Sequence, residues 1–327
     1  MKKRYMAGII TGLILSGALA ALNVQAEEEP IKISIGADSS VFSAQIRVAE
    51  AAGILEEHNI DAEIVTYSYG IDTINGVILN EVQVGEANDY AVCTRAAQSS
   101  NLRLVSSILS GQGDSKSLYV NKEEIQTGED LKGKKLAVAS GTVNEFEIAK
   151  TLETYGIGKD EVEYLYFSSD AEMLAAFATG DADAVWLSKQ YANEANEVEG
   201  SRTIADLSDI DQVNIAYLVV DESFANENEK AVEELIVALD EATELINNDP
   251  EKAAELLSDD LGIAKDDALK GLGTYNYKIE FKDSDLDHIT SVAEWSIENG
   301  LIENAYDLRS YVLKDAITNV FPDRIDF

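Results

Sequence analysis

The sequence predicts an α/β protein with two lobes, in which the second lobe is inserted into the first. Two series of alternating strand and helix patterns follow the same order, about 100 residues apart along the chain. Extended stretches flank the second series, and a mainly helical segment without strand alternation follows them. Alternating strands and helices predict mainly parallel sheets covered by helices, and two connections allow one lobe to hinge against the other.

Each series contains three strand patterns separated by two helix patterns. In the first, strands are predicted at 31–35, 62–67 and 88–92, with helices at 43–57 and 71–80. In the second, strands are predicted at 135–139, 162–167 and 183–187, with helices at 142–155 and 171–179. Glycines stand at matching places: Gly53 and Gly156 precede the second strands, and Gly85 and Gly180 precede the third. This match favours two genuine lobes over a coincidence of common βαβ units.

The stretches 104–120 and 213–220 are predicted to cross between the lobes. They divide the chain into a first lobe at 27–110 and 222–327 and a second lobe at 116–218. The tail is predicted to pack onto the first lobe as helices at 229–247, from Pro250 onward, at 286–299 and at 306–319.

Residues 1–26 are predicted to be a secretory signal. Lys2, Lys3 and Arg4 precede an uncharged, mostly apolar stretch at 7–22, and small residues lead to a cleavage point after Ala26. A membrane anchor is the alternative, but a helical span needs ~20 apolar residues. The stretch also resembles the start of a lipoprotein signal, yet Ala18 stands where a lipidated cysteine is required. We therefore expect export to the periplasm or cell exterior without a lipid anchor.

The composition argues against several classes of function. The chain has 61 acidic and 25 basic residues and a net charge of −36 at pH 7, which repels nucleic acid and anionic lipid. Cys93 is the only cysteine, and His58 and His288 are the only histidines. Zinc sites, cysteine redox pairs and Cys-His nucleophile pairs therefore lack support. We expect no cofactor, no metal, no catalytic residues and a monomer.

Ligands of open α/β sheets bind beyond the carboxyl ends of the strands, where helix N-termini present N–H groups without partners. Such groups hold a small polar or anionic group without a formal cation. Residues at these turns and strand ends are the predicted ligand contacts: Asp38, Ser39, Ser40, Phe42, Gly70, Ile71, Asp72, Thr73, Tyr90, Thr94, Ser140, Gly141, Thr142, Trp186 and Ser188. For each turn, simple helix capping is the alternative interpretation.

Four further side chains leave functional and structural interpretations open. Trp186 could stack on a flat ligand or wall off its apolar part, and ordinary core packing is an equal alternative. Arg47 and Arg95 could clamp an anion, although a solvated surface position is the alternative for each. Cys93 is predicted to be a buried small hydrophobe rather than a reactive thiol.

Four stretches resemble the nitrate, sulfonate and taurine group of ABC-transporter substrate-binding proteins, which also includes binders of thiamine-precursor pyrimidines. They are AEAAGILEEHNI at 49–60, GEAND at 85–89, DLKGKKLAVASGT at 130–142 and NDPEKAAELL at 248–257. Each stretch alone is weak evidence, but they follow the family's order over nearly all of the chain after the predicted signal.

The resemblance implies a two-lobed periplasmic-binding-protein fold of type II, with ligand in the cleft and with a membrane permease and a cytoplasmic ATPase as partners. By position, the turns at 39–42, 70–73 and 140–142 would line that cleft. A small organic anion such as an alkyl sulfonate or taurine is the first expectation for the ligand, and an aromatic or pyrimidine-like molecule is the second. An enzyme of thiamine-precursor type and a ligand-sensing module remain alternatives on the same fold.

Overall fold

The computed structural model describes residues 29–111 and 113–327. The predicted signal and its cleavage point lie outside the described residues. Two β-sheets, each flanked by helices, form two lobes, and the predicted α/β class is confirmed. Within the described ranges, no helix is long and apolar enough to cross a membrane.

The first sheet has six strands in the order β11-β4-β10-β3-β1-β2. Their bounds are β1 Ile31–Asp38, β2 Ile60–Tyr67, β3 Val84–Asn88, β4 Leu102–Gly111, β10 Ile215–Asp221 and β11 Tyr275–Glu280. Strands β1, β2 and β3 are parallel, whereas β10 runs antiparallel to both β3 and β4. The parallel part follows from the βαβ connections, because a crossover helix returns the chain to the same end of the sheet.

The second sheet has five strands in the order β7-β6-β8-β5-β9. Their bounds are β5 Lys116–Val120, β6 Lys135–Val138, β7 Glu163–Tyr166, β8 Ala184–Ser188 and β9 Arg202–Asp206. Again three strands are parallel, and β5 pairs antiparallel with both β8 and β9. Four neighbouring strands are therefore arranged alike in the two sheets, as β2-β1-β3-β10 in the first and β7-β6-β8-β5 in the second. In each set the fourth strand is antiparallel, and the chain enters it from the other lobe.

The chain passes between the sheets after β4 and again after β9, because β4 and β10 lie in the first sheet while β5 and β9 lie in the second. These segments fall within or beside the predicted crossings 104–120 and 213–220. The two passages touch each other, since the Gly111 N–H donates to the carbonyl of Asn214 at 2.7 Å.

Thirteen α-helices occur in the described residues. Their bounds are α1 Ala44–Ala51, α2 Ile54–Glu57, α3 Gly70–Ile78, α4 Asp89–Ala96, α5 Val143–Thr154, α6 Asp170–Thr179, α7 Ala192–Glu197, α8 Glu222–Glu227, α9 Glu229–Asn248, α10 Pro250–Leu261, α11 Lys265–Leu272, α12 Asp283–Glu298 and α13 Asp315–Val320. The starts follow capping chemistry: the side chains of Thr142, Ser169 and Asp249 accept N–H bonds at the first turns of α5, α6 and α10.

The tail enlarges the first lobe. Helix α9 packs on α1 and α13, α10 packs on α1 and α11, and α12 packs on α4. One continuous apolar core therefore joins the first sheet to the tail helices. In the second lobe, alternate strand residues point to opposite faces and form two smaller clusters, with Leu118 and Trp186 in one and Tyr119 and Val185 in the other.

Three predicted elements are wrong in detail, and one strand was not predicted. The strand predicted at 88–92 is helix α4, and the preceding strand β3 includes Glu86, whose polarity hid the strand pattern. The helix predicted at 43–57 breaks at Gly53, which has φ +78° and ends α1. The helix predicted at 306–319 is a short 3-10 turn and then α13. The tail also contributes β11, which the sequence analysis missed.

Candidate functional site

A cavity of about 70 Å³ lies between the two lobes at the carboxyl ends of their parallel strands. Residues of both lobes line it: Asp38, Ser40, Phe42, Tyr69, Gly70, Ile71, Asn88, Ala91, Lys116, Thr142, Val143, Asn144, Asp170, Ser188, Gln190 and Tyr275. We call this space the cleft cavity. Its volume suits a ligand of a few heavy atoms, since drug-sized ligands occupy pockets of roughly 300–1,000 Å³.

The wall formed by the first lobe centres on Asp38, the last residue of β1. Its Oδ1 accepts hydrogen bonds from the backbone N–H and the hydroxyl of Ser40 at 2.7 and 2.6 Å. Its Oδ2 has no partner among the described residues, although the side chain is only 7% exposed. Burial raises the pKa of Asp38 to about 6, and the Ser40 bonds oppose that rise.

Arg47 lies beneath this wall and does not face the cavity. Its Nε and Nη2 donate to the backbone carbonyl of Asp38 at 3.0 and 2.6 Å, and its Nη1 pairs with Asp260 at 2.6 Å. The side chain is buried, so the predicted surface alternative is wrong, and the guanidinium is already bonded within the protein. Arg47 therefore positions the end of β1 rather than holding a ligand.

The wall formed by the second lobe centres on Asp170, the first residue of α6. Its Oδ1 accepts a hydrogen bond from the hydroxyl of Tyr69 at 2.8 Å. Tyr69 precedes α3 in the first lobe, so this bond joins the two lobes across the cleft. Burial is the main cause that raises the pKa of Asp170, and the positive charge of Lys116 opposes it.

Lys116 is the basic residue of the cavity lining, and its charge is already paired. Its Nζ lies 3.1 Å from Oε2 of Glu147, which is fully buried on α5. Asn214 donates to the other oxygen of Glu147 at 2.8 Å. Lys116 follows the first passage between the lobes and Asn214 ends the second, so Glu147 ties the two passages to the second lobe.

Two helix N-termini complete the cavity. The N–H groups of Gly70 and Ile71 open α3, and that of Val143 opens α5; none of the three has an acceptor among the described residues. Gly70 is required there, because a Cβ would stand 2.8 Å from the carbonyl oxygen of Glu86. Unpaired N–H groups at helix starts carry partial positive charge and suit an anionic group.

Aromatic and amide side chains close the remaining sides. Tyr275 and Phe42 make an edge-to-face contact with ring centroids 6.2 Å apart. The Oδ1 of Asn88 is buried without a hydrogen-bond partner. Tyr275 comes from β11, whereas Asn88 ends β3, so the tail contributes directly to the cleft.

Seven of the predicted contacts line the cleft cavity: Asp38, Ser40, Phe42, Gly70, Ile71, Thr142 and Ser188. Four others lie outside this lining. Ser39 donates to the carbonyl of Ser68, Thr73 donates to the carbonyls of Gly70 and Glu86, and Asp72 and Ser140 lie outside the lining. Thr73 thus supports the α3 turn.

Tyr90, Thr94 and Gly141 line a separate pocket of about 280 Å³ between α4, α5 and the tail. Arg95 also lines that pocket, where its Nε donates to Asn75 at 2.6 Å. The N–H of Gly141 donates to Oε2 of Glu145 at 2.7 Å, so an acidic side chain already occupies this turn. Helix α4 belongs to the first lobe and α5 to the second, so these residues lie between the lobes but outside the lining of the cleft cavity.

Trp186 is a core residue, and its predicted place at the cleft is corrected. It stands in the middle of β8, is 1% exposed and donates from Nε1 to the hydroxyl of Thr151 at 3.0 Å. Cys93 is buried as expected, with its Sγ donating to the carbonyl of Ile289 at 3.4 Å. Burial raises the pKa of the thiol well above its usual value.

Six further polar residues of the lining were not predicted from the sequence: Asn88, Lys116, Asn144, Asp170, Gln190 and Tyr275. A signal existed for Asp170, since it follows Ser168 and Ser169 just beyond the strand predicted at 162–167. Tyr275 had no such signal, because its position depends on β11 pairing with β4 across a long sequence separation.

The chain is similar in sequence to one protein family and to named bacterial proteins. The model of the family described as "NMT1/THI5 like" matches residues 42–253. A protein of Escherichia coli K12 named for binding aliphatic sulfonates is 24% identical over 258 residues, covering 78% of this chain and 80% of that protein. The taurine-binding periplasmic protein of the same organism is 25% identical over 199 residues, covering 61% and 59%.

Solved structures share the fold at low sequence identity. The alkanesulfonate-binding protein SsuA of Xanthomonas axonopodis pv. citri, bound to MOPS, has a TM-score of 0.77 at 18% identity, covering 88% of this chain and 100% of that one. The desulfurization enzyme DSZB has a TM-score of 0.69 at 15% identity, covering 90% and 99%. Binding proteins and at least one enzyme therefore use this architecture.

Proposed function

Because the chain belongs to the NMT1/THI5-like family, we propose that it is the solute-binding component of an ABC importer. One observation carries this proposal: a small cavity lies between two lobes that are joined by two short passages, and both lobes line it. A ligand held there contacts both lobes at once. Only the closed arrangement makes all of these contacts, so ligand binding favours closure.

The proposed ligand is a small organic molecule with an anionic group, such as taurine or an alkyl sulfonate. The N–H groups that open α3 and α5 offer a place for a sulfonate or carboxylate. The two relatives from Escherichia coli K12 are named for binding aliphatic sulfonates and taurine, which supports this class. An aromatic or pyrimidine-like ligand is the second candidate, and the rings of Phe42 and Tyr275 favour it. The cavity of about 70 Å³ favours the smaller class.

The proposed partners follow from the transport role. They are a membrane permease, which recognises the closed lobes, and a cytoplasmic ATPase. We propose that the protein works outside the cytoplasmic membrane, as the word "periplasmic" in the name of one relative suggests.

Binding rather than catalysis is the role that we favour, although DSZB is an enzyme with a similar fold. The single thiol, Cys93, is buried in the first lobe, and its raised pKa disfavours the reactive thiolate. The carboxylates of the cleft bind neighbouring groups: Asp38 accepts from Ser40, and Asp170 accepts from Tyr69.

A thermal-shift screen followed by calorimetry tests the proposal. The set contains taurine, alkyl sulfonates, nitrate, small carboxylates and pyrimidines, each at about 100 to 1,000 times an expected Kd. A true ligand should stabilise the folded protein by about 3–4 kcal/mol under these conditions. Stabilisation by no compound, or turnover of any of them, would contradict a solute-binding role.

A further inference from the structure

We propose that the ligand carries an ammonium group, which binds between the carboxylate of Asp38 in the first lobe and that of Asp170 in the second. This inference rests on the proposed function, since it names the ligand class for the same cleft. It changes the expected ligand from any small sulfonate to one that also bears an amine.

The charges at the cavity are the first argument. Asp38, Asp170 and the nearby Glu147 contribute three carboxylates, whereas Lys116 contributes one ammonium group that Glu147 already pairs. Asp38 and Asp170 are close enough that repulsion between them adds to the burial that raises the pKa of Asp38. A ligand that is only an anion would add a further negative charge to this space.

Unpaired acceptors are the second argument, and they are independent of the charge count. Oδ2 of Asp38, on a side chain that is 7% exposed, has no partner among the described residues. Oδ1 of Asn88, in the same lining, is buried without a partner. A buried acceptor without a donor, such as Oδ1 of Asn88, costs free energy. An ammonium group supplies three donors and no acceptor, so it can also bind Oδ2 of Asp38. A sulfonate or nitrate group supplies acceptors only.

Because Asp170 lies in the second lobe, the ammonium group of the ligand can control the closure of the two lobes. Asp38 stands at the end of β1 in the first lobe, and Asp170 opens α6 in the second lobe. Without a cation between them, the two carboxylates repel each other and oppose closure. With an ammonium group between them, each carboxylate attracts the same charge, so closure depends on the ligand. The anionic end of the ligand is left for the N-termini of α3 and α5.

The inference therefore predicts a small zwitterion, such as an amino sulfonate or an amino carboxylate, as the preferred ligand. Taurine, 2-hydroxyethanesulfonate and ethanesulfonate form a matched set. All three carry the same sulfonate on two carbons, and they differ in having an ammonium group, a hydroxyl or a hydrogen at the other end.

Calorimetry with this set on the wild-type protein at pH 7.5 is the experiment. We expect taurine to bind about 100-fold more tightly than 2-hydroxyethanesulfonate, because 2-hydroxyethanesulfonate has no ammonium group to pair with the carboxylates of Asp38 and Asp170. Asp170→Asn should remove most of this preference. Asp72→Asn is the matched control: it makes the same charge change in the first turn of α3, outside the cavity lining, and should keep the preference.

The outcomes separate the inference from the proposed function. Equal or tighter binding of ethanesulfonate or 2-hydroxyethanesulfonate overturns the ammonium site but leaves a solute-binding role. An unchanged preference in Asp170→Asn, with the fold checked by circular dichroism, also overturns the ammonium site. Failure of these compounds and of β-alanine, glycine and the pyrimidines to bind the wild-type protein contradicts both proposals.

Discussion

Strands β3 and β8 occupy equivalent places in the first and second sheets, but the residues in the middle of each strand differ in chemistry. Glu86 in the middle of β3 lies opposite Leu218 of the antiparallel neighbour, and Trp186 in the middle of β8 lies opposite Leu118. Both side chains are fully buried. Two residues later, Asn88 and Ser188 end these strands, and both line the cleft cavity.

This comparison separates two kinds of position. The last residue of the third strand faces the cleft in both lobes, because ligand sites form beyond the carboxyl ends of strands. The middle residue is buried in the interior of each lobe, where the first lobe has the carboxyl group of Glu86 and the second lobe has the indole of Trp186. Position along the strand, rather than residue type, decides which side chain reaches a ligand.

The largest effect is expected for Trp186→Ala, because it leaves a large cavity in the smaller core of the second lobe. We expect a loss of about 3–5 kcal/mol of unfolding free energy, measured by urea titration. Hydrogen exchange should show that the loss affects the second lobe most.

Trp186→Phe is the companion variant, and it tests the assignment to the core. It should lower stability by less and leave ligand affinity within about twofold, since the residue does not line the cleft. A fall in affinity comparable to that of Asp170→Asn would mean that Trp186 contacts the ligand after all.

The second effect is a dependence of the unfolding free energy on pH that arises from Glu86. Trp186, at the equivalent position of the second lobe, has no carboxyl group and should not contribute to it. Burial raises the pKa of Glu86 from 4.5 to about 8, and hydrogen bonds from the Ser43 side chain and the Asp38 backbone oppose that rise. The folded protein therefore keeps a proton between these values that the unfolded chain releases. The contribution of Glu86 to stability falls as pH rises through this window, by about 1.4 kcal/mol per pH unit.

Glu86→Gln should remove this slope, so the variant gains stability relative to the wild type as pH rises from 5 to 8. Urea unfolding at pH 5, 6.5 and 8 measures the difference, with Trp186→Phe as the control that keeps the wild-type slope. Parallel curves for Glu86→Gln and the wild type would show that Glu86 ionises normally.

The third effect is a pH dependence of ligand affinity that arises from Asp38. Its pKa is raised to about 6 by burial and by the charge of Asp170, while Ser40 and Arg47 act in the opposite direction. An ammonium ligand favours the ionised carboxylate, so binding releases a proton below pH 6.

Affinity for taurine should then be flat between pH 7 and 8 and fall by up to about tenfold per pH unit below 6. Calorimetry in buffers of different ionisation enthalpy measures the proton release. Asp38→Asn should bind weakly with a much flatter profile. Affinity that rises on acidification would contradict an ammonium ion at Asp38.

The smallest effect is expected for Tyr69→Phe, which removes the hydrogen bond to Asp170 across the cleft but keeps the ring. A hydrogen bond to a charged group contributes about 1.5–3 kcal/mol, and the freed Asp170 oxygen remains available to the ligand. We expect a loss of affinity of about tenfold or less, measured by calorimetry, and a loss of unfolding free energy of at most about 1.5–3 kcal/mol, measured by urea titration. A larger loss than for Asp170→Asn would reverse the assigned roles of the two residues.

The fold was largely predictable from the sequence, because strand alternation and helix periodicity repeat in both lobes. Glu86 and β3 were the exception, since a buried carboxyl breaks the apolar pattern of a strand. About half of the predicted contacts line the cavity, and these are residues at turns, such as Asp38, Gly70 and Thr142.

The remaining contacts depend on three-dimensional placement that local pattern does not encode. Tyr275 reaches the cleft only because β11 pairs with β4. Lys116 reaches it because the passage between the lobes ends beside Glu147. Trp186 was assigned to the cleft on its residue type, whereas its place two residues before the end of β8 puts it in the core.

A distance measured between the lobes by double electron–electron resonance tests ligand-driven closure most directly. Spin labels at Leu79 and Ala178, both exposed at the far ends of α3 and α6, can be attached in a Cys93→Ala background. We predict that saturating taurine shortens and narrows the distance distribution, whereas 2-hydroxyethanesulfonate at the same concentration leaves it close to that of the free protein. An unchanged distribution with taurine shown to be bound would contradict closure on an ammonium group.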